Sequence, residues 1–151
     1  DSQVPGEVGG HLGAAELSHL ENCLESGAAD GLHTLVCLHH QPVPVGCDWL
    51  DEQMVSDARA FFELLGRFPR VRAVLWGHVH QELDRQQDDI RLLCSPSTCV
   101  QFLPEQEDFA LDTRSPGYRW LELDADGSLR TGVSRAESQV FPVDRRAPGY
   151  L

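Results

Sequence analysis

An α/β fold is predicted by three features of the amino-acid sequence. Two apolar runs, the continuous 34–38 and 71–76 with a single charge at Arg72, flank a segment with helical periodicity. Both runs end at histidines, His39-His40 after the first and Gly77-His78-Val79-His80 after the second. Short segments of hairpin character follow from residue 82 onward. Strand, helix, strand in this order is a βαβ-like unit, and ligands of such sheets bind beyond the carboxyl ends of the strands.

The elements follow in chain order. Residues 1–13 carry Pro5, Gly6, Gly9, Gly10 and Gly13 and read as a loop. Leu17, Leu20 and Leu24 then recur at i, i+3 and i+7, one apolar face of a helix over 14–26 with Gly27 as its stop. Thr34-Leu35-Val36-Cys37-Leu38 has the unbroken apolar character of a strand covered on both faces. A proline-rich turn occupies 41–46. Val55, Ala58, Phe62 and Leu65 predict a second helix over 55–67, closed by Gly66 and Pro69. The second strand spans 71–76. Residues 82–85 and 90–94 form a hairpin about the polar turn 86–89, and 97–102 reads as a further strand. A last hairpin pairs 118–123 with 128–134 across Asp124-Ala125-Asp126-Gly127. Residues 1–137 thus make one domain unit, and 138–151 a poorly ordered tail.

Composition narrows the function. The 151 residues are 41% hydrophobic, enough for a core. No apolar stretch approaches the roughly 20 residues of a membrane helix, and no signal segment opens the chain, so a cytoplasmic protein with no membrane partner is expected. A formal charge of −12 argues against long nucleic acid as a partner, because nothing forms a basic stripe. Five cysteines contain no C-x-x-C pair and read as reduced thiols.

Chemistry concentrates at the two strand ends, which hold four of the seven histidines. In an extended segment His78 and His80 point to one side, about 6.5 Å apart. Two metal ions separated by about 3.5–4 Å could take one imidazole each, an arrangement suited to phosphate-ester cleavage. His39 and His40 are neighbours, so only one of them faces the same place and the other packs or supports it. Neutral imidazoles alone balance two divalent charges poorly, and carboxylates are needed. No Asp-x-His, Gly-Asp-x-x-Asp or Gly-Asn-His motif occurs in the chain, so it holds half a site. His11, His19 and His33 read as ordinary loop, helix-surface and pre-strand residues. Asp124-Ala125-Asp126-Gly127 opens like a calcium loop, but Val133 stands where the bidentate glutamate belongs. Cys94 and Cys99 lack the tight spacing of a zinc knuckle.

The order His39-His40-x-Pro42-x-Pro44, helix, Gly77-His78-Val79-His80 resembles the last two motifs of the calcineurin-like metallophosphoesterases. Gly46-Cys47-x-Trp49-Leu50-Asp51, His80-Gln81-Glu82-Leu83-Asp84, Ser95-Pro96-Ser97-Thr98-Cys99-Val100-Gln101-Phe102 and Pro116-Gly117-Tyr118-Arg119 resemble, within that superfamily, the bacterial class III cyclic-AMP phosphodiesterases. The resemblance begins at Asp1-Ser2-Gln3 and covers that family's C-terminal half.

It implies the C-terminal half of a four-layer α/β/β/α sandwich, completed by the N-terminal half of the same domain. It also implies hydrolysis of 3′,5′-cyclic AMP to 5′-AMP by a hydroxide generated on two divalent metal ions, iron or manganese, with zinc a possible substitute. On the matching positions, His39 and His78 would bind one metal, and His80 would bind the other and lie near the substrate phosphate. Gln41 stands where the family often has proline, which bears on the choice between His39 and His40. The bridging aspartate, the asparagine ligand and the general acid belong to motifs this chain lacks, so no catalytic acid is named in it. Two alternatives remain: a non-catalytic metal-binding or regulatory module, and a related phosphodiesterase with another substrate. Trp49 and the segment 95–102 are candidate walls for the base.

Overall fold

The computed structural model describes residues 1–138 and 142–144. Its apolar centre is the strand Val71–Trp76, in which Val71, Ala73, Val74 and Trp76 are buried. In chain order the elements are α1 (Gly13–Ala29), β1 (Thr34–Cys37), α2 (Asp48–Asp51), α3 (Ala58–Leu65), β2 (Val71–Trp76), β3 (Leu83–Gln87), β4 (Ile90–Cys94), β5 (Gly117–Leu123) and β6 (Leu129–Arg135). One sheet has the order β1-β2-β4-β3, with β1, β2 and β4 parallel and β3 antiparallel at the far edge. The strands β5 and β6 form a separate two-stranded sheet. The α/β class read from the sequence holds. The tail expected over 138–151 lies, apart from 138 and 142–144, outside the described residues.

Helix α3 buries Phe61, Leu64 and Leu65, at i, i+3 and i+4, against Val36, Val74 and Leu92 of the sheet's core. That stripe is offset from the expected one: Val55 precedes the helix, and Phe62 is only partly buried. Helix α1 runs through Gly27, the expected stop, to Ala29. Its real terminator is Gly31, at φ +71°, where Leu32 N–H donates to Gly27 O (2.8 Å) and Gly31 N–H to Ala28 O (3.0 Å). These are the paired bonds of a Schellman end, which a residue with a Cβ adopts only under strain.

Three expectations need correction. Strand β1 is not covered on both faces; it forms the sheet's edge, with Val36 buried, Leu35 half-buried and Cys37 exposed. The turn of the first hairpin tightens to Asp88-Asp89, because Gln87 already pairs with Ile90. Residues 97–102 form no strand. The buried Gln101 amide accepts from Ser97 N–H (3.1 Å) and donates to Ser97 O (2.7 Å), folding the segment on itself. Only Phe102 bridges, singly, to Leu111.

Arginines fasten the β5–β6 hairpin to the larger sheet. Arg119, buried on β5, donates through Nε to Cys94 O and through Nη2 to Leu83 O, each at 3.0 Å. Arg91 reaches Leu129 O (3.1 Å) and Arg72 reaches Gly127 O (3.0 Å). At the other side of the fold, the Asp57 carboxylate accepts from Leu12 N–H (3.0 Å) and Gly13 N–H (2.8 Å), capping α1 from 44 residues away. Burial acts to raise its pKa, but these backbone donors outweigh it and hold the carboxyl below its ordinary value.

Two stability measurements test these ties. Arg119→Met removes the donor to the buried Cys94 carbonyl and to the half-buried Leu83 carbonyl and should cost about 3 kcal/mol in chemical denaturation, and Arg119→Lys should not restore it, since one ammonium cannot span both acceptors. Asp57→Ala should cost about 1 kcal/mol. Because the folded pKa of Asp57 is depressed, that contribution is complete above the unfolded value near 4 and vanishes as pH falls through the folded one.

Candidate metal centre

The parallel ladder continues beyond the strands it joins. Leu38 N–H donates to Leu75 O (2.9 Å), and Gly77 N–H donates to His39 O (3.2 Å). Residues leaving β1 and β2 therefore emerge side by side, and His39 Nε2 lies 3.2 Å from His78 Nδ1. One ring nitrogen from each of His39, His40 and His78 falls within 4.8 Å of the others.

The strand-alternation argument for His78 and His80 does not apply, because β2 ends at Trp76. Both histidines take left-handed backbone conformations, at φ 59° and 50°. Val79 N–H bonds to Gly77 O at 2.6 Å, a γ-turn centred on His78, and Val79 itself is buried. Positive φ at a non-glycine residue costs on the order of 1 kcal/mol, and such residues cluster where function demands them. Both imidazoles nonetheless reach one cavity of about 400 Å³, lined by His39, His78, His80, Trp49, Gln53 and Phe102 among others. That volume suits a small ligand.

His40 takes a different place. Its Nδ1 lies 2.8 Å from Ser2 Oγ and its Nε2 lies 3.1 Å from Val8 O. A carbonyl only accepts, so Nε2 carries the proton and Nδ1 accepts from the Ser2 hydroxyl. Both nitrogens are spent, and the ring is buried against Gly10, where a Cβ would come within 2.8 Å of it. His39 is exposed, with Nε2 directed at His78. Gln41 is fully buried and donates from Nε2 to Leu50 O (2.6 Å), while its backbone carbonyl accepts from Val55 N–H (3.0 Å). The glutamine at this position thus has a structural task that a proline side chain could not perform.

His80 is stacked flat on Phe102, with centroids 4.3 Å apart and planes 9° from parallel. Trp49 meets Phe102 edge-on at 5.0 Å. Burial is the main cause that lowers the pKa of His40, His78 and His80. For His78, the neighbouring His40, His39 and His80 add to it, and its pKa is pushed down to about 4. These rings are neutral near pH 7, the form that donates a lone pair to a metal.

The donor set fits a divalent cation. With metal–nitrogen bonds of roughly 2.1 Å, two nitrogens 3.2 Å apart subtend about 100°, the angle of adjacent ligands. Among the described residues no carboxylate joins the histidine cluster, which agrees with the absence of the acidic motifs. The sequence reading did not anticipate Ser2, Val8, Gly10 or Gln53 beside the site. A buried histidine requires partners, but nothing local identifies partners 38 and 32 residues away.

No family model matches the chain. Its relatives include the 3′,5′-cyclic adenosine monophosphate phosphodiesterase CpdA of Pseudomonas aeruginosa, 49% identical over 150 residues, and that of Escherichia coli K12, 47% identical. Each match covers 99% of this chain and 54% of the relative. A 3′,5′-cyclic-nucleotide phosphodiesterase of Nostoc is 38% identical over 135 residues, covering 89% of this chain and 50% of its own length. The fold is shared with a dimetal phosphatase from Danio rerio, at a TM-score of 0.54 and 16% identity over 74% of this chain and 35% of that one. The chain is therefore similar over nearly its whole length to bacterial cyclic-nucleotide phosphodiesterases, shares the fold of a dimetal phosphatase, and spans about half the length of the curated relatives it matches.

Proposed function

We propose that this chain forms the histidine side of a two-metal active site that hydrolyses 3′,5′-cyclic AMP to 5′-AMP, the remaining ligands coming from an N-terminal half of the same domain. The observation that carries the reading is the pair His39 Nε2 and His78 Nδ1, 3.2 Å apart, on residues that line one cavity together with His80. The 49% identity to a named cyclic-AMP phosphodiesterase supports the substrate.

His39 and His78 would hold one divalent ion. His80, fixed by its stack on Phe102, would hold the second and lie near the phosphate. When bound, two such ions offset phosphate charge and make water a competent nucleophile at neutral pH. Burial keeps the imidazoles of His78 and His80 neutral, and Ser2 and Val8 pin His40 so that it buttresses the ligand beside it. The aromatic wall of Trp49 and Phe102 gives a planar base a surface on which to stack. Iron or manganese suits imidazole completed by carboxylate, and zinc fits as well. No described helix is long and apolar enough to cross a membrane, and five free thiols support a reducing, cytoplasmic setting.

The absence of a carboxylate among the described site residues favours one further reading, a metal-binding module without catalysis. Assays on the full-length protein separate the two: metal-dependent turnover of cyclic AMP, exceeding that of cyclic GMP and a generic aryl phosphodiester, is expected. No turnover with metal bound would leave the module. His80→Ala should lower the rate by at least about 100-fold while the thermal melt stays near wild type; undiminished turnover would remove His80 from the ligand set. The isolated 151-residue chain should bind metal weakly and show negligible turnover, since the carboxylate ligands lie elsewhere.

A further inference from the structure

We infer that Gln53 sets the tautomer and orientation of His78, keeping its Nε2 protonated so that the Nδ1 lone pair faces His39 and the cavity. Gln53 is thereby a positioning residue of the metal centre. This rests on the proposed metal-binding role of the histidines.

The argument is one of donors and acceptors. Gln53 Nε2 lies 3.0 Å from Trp49 O. A carbonyl oxygen can only accept, so the amide must present its NH₂ there, and its orientation is settled. The amide oxygen is then the atom 2.9 Å from His78 Nε2. That oxygen also only accepts, so His78 Nε2 must carry the ring's proton. A neutral imidazole has one N–H, which leaves Nδ1 bare, 3.2 Å from His39 Nε2. The proton is thus held on the side of the ring away from the shared N–N gap, and in the metal-free protein Nδ1 accepts from His39 Nε2–H.

Gln53 is itself held firmly. Its backbone N–H donates to Leu50 O (2.9 Å), and its backbone carbonyl accepts from Gly10 N–H (3.2 Å). The latter contact links it to the same segment that supplies Ser2 and Val8 to His40. One neighbourhood therefore fixes two of the four strand-end histidines. A ligand imidazole whose far nitrogen donates to a fixed oxygen is more basic and cannot swing out of line, and loss of such a partner typically weakens metal binding 10–100-fold.

The test uses the full-length protein, the metal-free form for NMR and Mn²⁺ as the titrant. Long-range ¹H–¹⁵N spectra of the metal-free protein should show His78 with a protonated Nε2 and a bare Nδ1. Calorimetric titration should give Gln53→Met about 10–100-fold weaker Mn²⁺ binding with an unchanged thermal melt, whereas Gln53→Glu, which retains an acceptor oxygen, should bind at least as well as wild type. A proton on His78 Nδ1 overturns the inference. So does wild-type Mn²⁺ affinity in Gln53→Met, a raised KM for cyclic AMP as its only effect, or a loss in Gln53→Glu equal to that in Gln53→Met. Failure of the wild-type protein to bind Mn²⁺ sinks the metal reading itself and is seen before any variant is compared.

Discussion

The parallel pairing of β1 with β2 is the constraint on which the site depends. Cys37 is registered to Leu75, and the ladder runs on through Leu38 to the bond between Gly77 N–H and His39 O. Parallel strands deliver their carboxyl ends to the same edge, so two histidine segments 39 residues apart must arrive together. A slip of one residue would turn Val36 outward and expose the apolar stripe that receives α3. The same hydrophobic pattern that builds the core therefore positions His39 against His78.

What the residues disclosed on their own was what is periodic or locally signalled. The run Val71–Trp76 is buried and central, and its boundaries match the apolar pattern to the residue. Both hairpins appear where turn residues divide them. The errors have physical causes. Gly27 did not end α1 because the left-handed turn falls at Gly31. The β-rich composition of 97–102 did not make a strand because the Gln101 side chain satisfies the local backbone. His78 and His80 were expected to share a face by strand alternation; they reach one cavity instead through two left-handed residues separated by a buried valine.

The support around the site was hidden for a different reason. Ser2, Val8 and Gly10 sit in a segment that looks like a plain glycine-rich loop, yet it folds back beside the ends of the sheet. Gly10 bridges both Gln3 and Val55 and passes so close to the His40 ring that only glycine fits. Hydrogen-bond partners across such distances leave no trace in spacing. They divide the strand-end histidines into distinct roles: His40 has both nitrogens engaged by protein, whereas His39 and His78 turn nitrogens toward each other.

The long connection between β1 and β2 also bears on when the site comes into being. Hairpin β3–β4 closes over two residues and β5–β6 over five, but β1 and β2 meet only after 33 intervening residues, 38–70, have been gathered in. Contacts of such separation carry a larger loop-closure entropy and form slowly. The histidine cluster is accordingly a late product of folding, absent from any partly folded chain that has made only its hairpins. Metal capture would then report completion of the sheet, and a cation bound there would hold the longest-range pairing among the described strands closed.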